Sequence, residues 1–282
     1  MNTEVPLVIQ LIQSLSRDIA NDSLALPSLP DLATHLQELR ATDDLAPRRL
    51  ADAILGDIAT SARLVQIANS AANRRGQTVE SVGQAVARLG TEASLNIALS
   101  FALEQMFSAR SPAIDLYLHQ TWRHGRETAA AARVLAEQNT LLNPELAMLA
   151  GLLHGIGKLP LLRIVDDRPE IAQDRDALDR LLSSLHPAAG CRVLRAWQLP
   201  AAIVDVPADC LDFARSHPGP ADYADVVAVA LVLGEGLKAL ADNLDRTAIP
   251  AFAKLDIDPR ADASSVLDAE ALRNSRELVG AV

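Results

Sequence analysis

Apolar residues recur at three- and four-residue spacing along most of the chain, and the polar breaks between them outline a succession of helices. Leu7, Val8, Leu11, Ile12, Leu15 and Ile19 form one stripe, which predicts an amphipathic helix over residues 5–19. Residues 24–30, Leu-Ala-Leu-Pro-Ser-Leu-Pro, contain two prolines and cannot be helical throughout, so they mark a boundary. Beyond it the pattern predicts a helix near 31–40 with Asp31 at its start and another from Pro47 to Gly56. A third covers 58–72, a fourth ends at Gly90, and a largely buried one runs over 91–107.

Ser111-Pro112 separates a second unit. Its first helix is long, about 113–139, with an alanine-rich stretch at 129–132 that permits close packing. Asn143-Pro144 opens a helix too apolar for a surface, with Leu146, Met148, Leu149, Leu152 and Leu153. It ends at His154, where Gly155, Gly157 and Lys158 break the pattern. A polar segment, 166–179, leads to Leu181–Leu185, and Pro187 is placed at the start of a further helix whose inner face carries Ala189, Gly190, Val193, Leu194 and Trp197. An irregular zone with Pro207, Pro218, Gly219 and Pro220 precedes an apolar helix over 224–240, and an amphipathic helix is predicted over 264–278. The expected architecture is an all-α, two-part helical bundle. It comprises an N-terminal amphipathic helix (1–23), an N-terminal helical subdomain (24–110) and a second helical subdomain with a C-terminal helix (111–282).

Composition agrees with this outline. A 49% hydrophobic content supports a sizeable core, and only 3% aromatic residues with few β-branched clusters favours packed helices over a sheet. A net charge of −10 argues against nucleic acid as a partner, and the Arg48-Arg49 and Arg74-Arg75 pairs read as solvated surface. Cys191 and Cys210 form no metal-type doublet and are expected to be free thiols. The N-terminus lacks a secretion-type pattern, and no apolar run reaches the roughly 18 residues of a membrane span, so a cytoplasmic protein without a membrane partner is expected. The 5–19 stripe packs on the body of the chain or, as the alternative, on a second copy in a homodimer. Nucleophile-elbow, phosphate-loop and dinucleotide fingerprints are absent.

The stretch Leu149-Ala-Gly-Leu-Leu-His154-Gly155-Ile-Gly-Lys158-Leu159 resembles the signature of the HD superfamily of metal-dependent phosphohydrolases, in which a His-Asp doublet supplies adjacent metal ligands. Gly155 stands where that aspartate would be. Further segments extend the likeness: Leu26-Pro-Ser-Leu-Pro30, Asp57 to Ala71, Val82 to Gly90, Trp122-Arg-His124, and His186 and Gly190 ahead of Trp197-Gln-Leu-Pro200. In this order, over roughly residues 24–240, they resemble the HDOD family, the HD-related output domains of bacterial signalling.

The resemblance makes the second subdomain HD-like and implies a role for each matching residue. His124 matches the first ligand position and His154 the second, and Glu235 is the nearest candidate for the closing carboxylate. Lys158 matches the lysine that meets substrate phosphate in active relatives, with Arg123 as a second anion contact, and His186 caps a helix or faces the cleft. His35, His119 and His217 share no pattern. Two imidazoles without a partner carboxylate activate water poorly, so His124 and His154 are read as packed histidines, hydrogen-bonded to each other, to backbone or to Glu127. The expectation is a non-catalytic signalling protein with no metal and no cofactor, acting by binding a protein partner or a small-molecule or nucleotide ligand. Two alternatives stay open: a metal-dependent phosphohydrolase rebuilt on His124, His154, His186 and Glu235, and a nucleotide sensor that does not hydrolyse its ligand.

Overall fold

The computed structural model describes residues 7–41, 45–70, 73, 76–138, 141–234 and 244–280, and the regular elements among them are all helical. Helix α1 (Leu7–Ala20) buries Val8, Leu15 and Ile19. The helices α2 (Asp31–Ala41), α3 (Pro47–Leu55), α4 (Ile58–Ala68), α5 (Val82–Leu89) and α6 (Thr91–Glu104) build the first subdomain. Local chemistry sets their ends. Pro47 opens α3, the Asp57 carboxylate accepts from the Thr60 N–H at 2.7 Å to cap α4, and Gly90 at φ +90° turns α5 directly into α6. Helix α4 stops at Ala68, short of the expected 72, because the Asn69 amide turns away to bond both the N–H and the carbonyl of Val79 at 2.8 Å each. Helix α6 is buried continuously from Ser94 to Leu103, as its apolar content predicts.

The second subdomain is arranged around α7 (Pro112–Gln138). Against it lie α8 (Pro144–Leu153), α9 (Lys158–Asp166) and the C-terminal helix Ala269–Leu278, which Arg276 ties to Glu127 at 2.8 Å. After α10 (Pro169–Ala172), α11 (Arg175–Ala196) covers α9 and receives α1; α12 (Ala201–Val204) and α13 (Val206–Asp209) follow, and α14 (Tyr223–Leu233) packs on α7 and α8. The Trp197 indole N–H donates to the Pro27 carbonyl at 2.9 Å, which pins the proline-stiffened segment to the end of α11. The remainder of the helix expected over 224–240, including Glu235, lies outside the described residues.

Two expectations are corrected. Pro187 does not begin a helix but lies inside α11. Leu178, Leu181, Leu182, Leu185, Ala189 and Val193 form one buried stripe through it, and burial on both sides outweighs the hydrogen bond that proline removes. Second, Pro144–Asp166 is long and apolar enough to cross a membrane by length and composition, with a mean hydropathy of 1.4. Its most apolar part is mostly buried inside the fold, and the segment spans α8, a turn and α9, so its hydropathy reflects a core position.

Helix α7 meets α8 backbone to backbone. A Cβ on Gly151 would stand 2.8 Å from the Ala129 Cα, and one on Gly125 would stand 2.6 Å from the Leu152 carbonyl oxygen. A second close crossing follows immediately: a Cβ on Gly157 would come 2.0 Å from the His186 carbonyl oxygen and 2.4 Å from the Gly190 nitrogen. Overpacking at such a contact costs about 1–3 kcal/mol or more, because backbone cannot move aside as a side-chain tip can. Gly157→Ala is therefore expected to lower stability by about 3 kcal/mol. Gly83→Ala, where nothing lies within 4 Å of the added carbon, should be neutral or stabilising by up to about 1 kcal/mol. Urea unfolding midpoints of the two variants check the contrast, and equal losses would show that the crossing is looser than described.

Candidate functional site

The two crossings place the histidines. Contact at Gly125 and Gly151 brings His124 of α7 beside His154 at the end of α8, ring centroids 5.1 Å apart and planes 80° to one another. Contact at Gly157 and Gly190 lays α11, with His186, across the turn that leads into Lys158. His154 is buried, and its Nδ1–H donates to the Gly151 carbonyl at 2.7 Å. The His186 Nδ1–H likewise donates to the Leu182 carbonyl at 2.7 Å. In both rings the backbone bond assigns the proton to Nδ1 and leaves Nε2 as an acceptor.

All three imidazoles are held neutral. Burial lowers His124 to about 4, with the Lys158 charge acting in the same direction. Burial, then Lys158, lowers His186 to about 4 against the opposing Leu182 hydrogen bond. Burial drives His154 well below its ordinary value, and His124, Lys158 and His186 add to the effect. Lys158 is itself lowered by burial, partly offset by the charge of Asp179. The cluster thus combines one ammonium with three uncharged rings.

Of the residues singled out from the sequence, His124, His154, Lys158 and His186 act on one another electrostatically. Gly155 lies in the same turn, where an added Cβ would touch only the Thr121 methyl at 3.5 Å, an ordinary contact. Arg123 is exposed beside His124 on α7. Glu127 pairs with Arg276 at 2.8 Å. Sequence reasoning missed Thr121 and Tyr117, which precede His124 by three and seven positions on α7, and Asp179, which precedes His186 by seven on α11. The Tyr117 hydroxyl donates to Asp179 at 3.4 Å, joining the two helices. The signal was available: spacings of three, four and seven put these residues on the histidine-bearing faces.

Among the described residues the donor set of an HD-type metal is incomplete. Gly155 offers no oxygen, and His124, His154 and His186 do not bring one ligating atom each within 4.8 Å of one another. Among the described residues the group that does is His217, Asp222 and Asp225, which corrects the view of His217 as an isolated side chain. Its Nε2 lies 2.9 Å from Asp225 Oδ2, and the Lys254 ammonium lies 2.9 Å from the same nitrogen and 3.1 Å from the Gly219 carbonyl. Arg215 bridges Asp222, Asp225 and Asp209, and Asp222 with Asp225 forms the capping box of α14. Two protein cations already occupy this cluster, whose evident work is to join the loop before α14 to the helix Pro250–Lys254. Cys191 and Cys210 are free and buried, and burial raises both thiols.

Comparison with known proteins places this geometry in a family. The HDOD domain profile matches residues 26–209, well over half of the chain, and the protein belongs to the HDOD family. A Shewanella amazonensis SB2B protein provisionally named a metal-dependent phosphohydrolase is similar in structure, with a TM-score of 0.79, 26% identity, and 97% of this chain and 98% of that one covered. An HDOD domain protein of unknown function from Geobacter sulfurreducens gives a TM-score of 0.67 at 21% identity, covering 97% of this chain and 99% of its own. A provisionally named signal transduction protein from Marinobacter aquaeolei VT8 gives 0.60 at 21%, covering 99% and 68%. No curated protein matches the chain significantly.

Because His124 and His186 titrate near 4 when folded and near 6.5 when unfolded, the unfolded chain binds more protons between those values. Their contribution is fully present above pH 6.5 and is lost as pH falls toward 4, by on the order of 3 kcal/mol for each ring. The urea midpoint of the wild type should fall across this window, and His124→Gln with His186→Gln should flatten that part of the curve. An unchanged slope in the double variant would show that these rings are not buried neutral.

Proposed function

We propose that the protein is a non-catalytic, bacterial-type signalling or regulatory component that works in the cytoplasm and acts by binding a protein partner or small ligand through a degenerate HD-type cleft. One observation carries this reading. The position that would complete the metal pair is Gly155, which supplies no side chain although an added Cβ there would meet only the Thr121 methyl, at an ordinary 3.5 Å. Three neutral rings beside an ammonium do not generate a metal-activated water, the step that metal-dependent phosphohydrolysis needs. The cluster retains one positive charge beside uncharged donors and acceptors, a set of groups suited to recognition. The signal transduction name of one structural relative agrees with such a role.

A second reading, a metal-dependent phosphohydrolase, draws on the name of the 26% identical relative. A third, a nucleotide sensor, draws on Lys158, with Arg123 next to the cleft as a further phosphate contact. Elemental analysis of protein purified without chelators separates the first two readings. The expected result is less than about a tenth of an equivalent of iron, manganese or zinc in the wild type, against a substantial gain in Gly155→Asp, which restores an acidic ligand. Stoichiometric wild-type metal that is lost in His124→Ala, together with chelator-sensitive phosphodiester hydrolysis, would overturn the non-catalytic reading. A thermal-shift screen with cyclic dinucleotides and guanosine polyphosphates tests the third: a raised midpoint that disappears in Lys158→Ala identifies a sensor, and a flat screen leaves a protein partner.

A further inference from the structure

A cavity of about 320 Å³ opens between α4, α6 and the C-terminal helix, lined by Arg63, Gln66, Ile67, Ser70, Phe101 and Glu277. It is separate from the histidine cleft. Arg126, which ties its rim to α7, lies two residues past His124 and so about 200° further round that helix. The walls are braced before any ligand arrives. The Arg63 guanidinium carbon sits 4.8 Å above the Phe101 ring, and Arg63 also pairs with Glu104. Arg126 donates to the Gly280 carbonyl and lies 3.6 Å from Glu104, while Arg276 fastens the C-terminal helix to α7.

The lining has a chemical polarity. Glu277 is the acidic residue of the lining, its Oε2 set back out of reach of solvent with no hydrogen-bond donor among the described residues. The α4 wall supplies donors: the partly exposed Arg63, with N–H groups beyond the one that meets Glu104, the exposed Gln66 amide, and the Ser70 hydroxyl, whose oxygen accepts from Asn73 at 3.2 Å and whose proton remains available. Ile67 and the Phe101 ring provide apolar surface between the polar groups.

We propose that this cavity is a second ligand site, for a small zwitterion of the α-amino-acid type with an apolar side chain. The ammonium group donates to Glu277, the carboxylate accepts from Arg63 and Gln66, and the side chain lies over Ile67 and Phe101. Opposite charges at the two ends, rather than net charge, select the ligand. Because α4 and α6 belong to the first subdomain and the C-terminal helix packs on the second, occupation fastens the two together.

The test is isothermal titration of the full chain with L-leucine, L-methionine and L-phenylalanine, each repeated with its N-acetyl and its carboxamide derivative. At least one free amino acid is expected to bind, with affinity reduced about tenfold or more when either charge is removed. Glu277→Gln, nearly isosteric, and Arg63→Gln, at a partly exposed position, should each lower that affinity by a similar factor. His154→Ala, in the other cleft, should leave it unchanged. Absence of binding by all three amino acids, or binding that survives Glu277→Gln, would overturn the proposal. Binding lost in His154→Ala but kept in Glu277→Gln would assign the ligand to the histidine cleft instead.

Discussion

The second subdomain depends on helix backbones touching at two successive points, separated by one turn of chain. At the first, Gly125, Ala129 and Gly151 let α7 and α8 meet with no side chain between them; at the second, Gly157 and Gly190 do the same for the start of α9 and α11. Close-packed interiors do not absorb an extra methyl group at a backbone contact. These crossings therefore fix where His124, His154 and His186 stand, and the histidines in turn have little freedom to be anything but neighbours. The burial that keeps them neutral follows from the same packing.

Much of this order was legible in the residues. Apolar spacing located the main helices, because nearly every helix here buries a stripe against another. Where it failed, a longer-range contact had prevailed over a local signal. Pro187 reads as a helix start, yet buried leucines and small residues on either side carry α11 through it. Asn69 ends α4 early by bonding Val79 in the following loop, a partnership that spacing along the helix does not encode.

The candidate site was legible in its members and not in their surroundings. His124, His154 and Lys158 stand out by likeness to a known signature, and the structure gathers them with His186. Tyr117, Thr121 and Asp179 carry no signature of their own; helical spacing sets them on the histidine-bearing faces, and the Tyr117–Asp179 contact between α7 and α11 is what the fold adds. His217 shows the converse. It looked isolated in sequence, and its partner Lys254 lies 37 positions away, on the helix Pro250–Lys254.

Three glycines punctuate the stretch around His154, and they are not equivalent. Gly151 and Gly157 are held by steric necessity, whereas a Cβ on Gly155 would make only an ordinary contact with the Thr121 methyl. In the genetic code glycine is one base change from an acidic residue. A single point mutation therefore suffices to set a carboxylate next to His154, at a position where the added Cβ meets nothing closer than an ordinary contact.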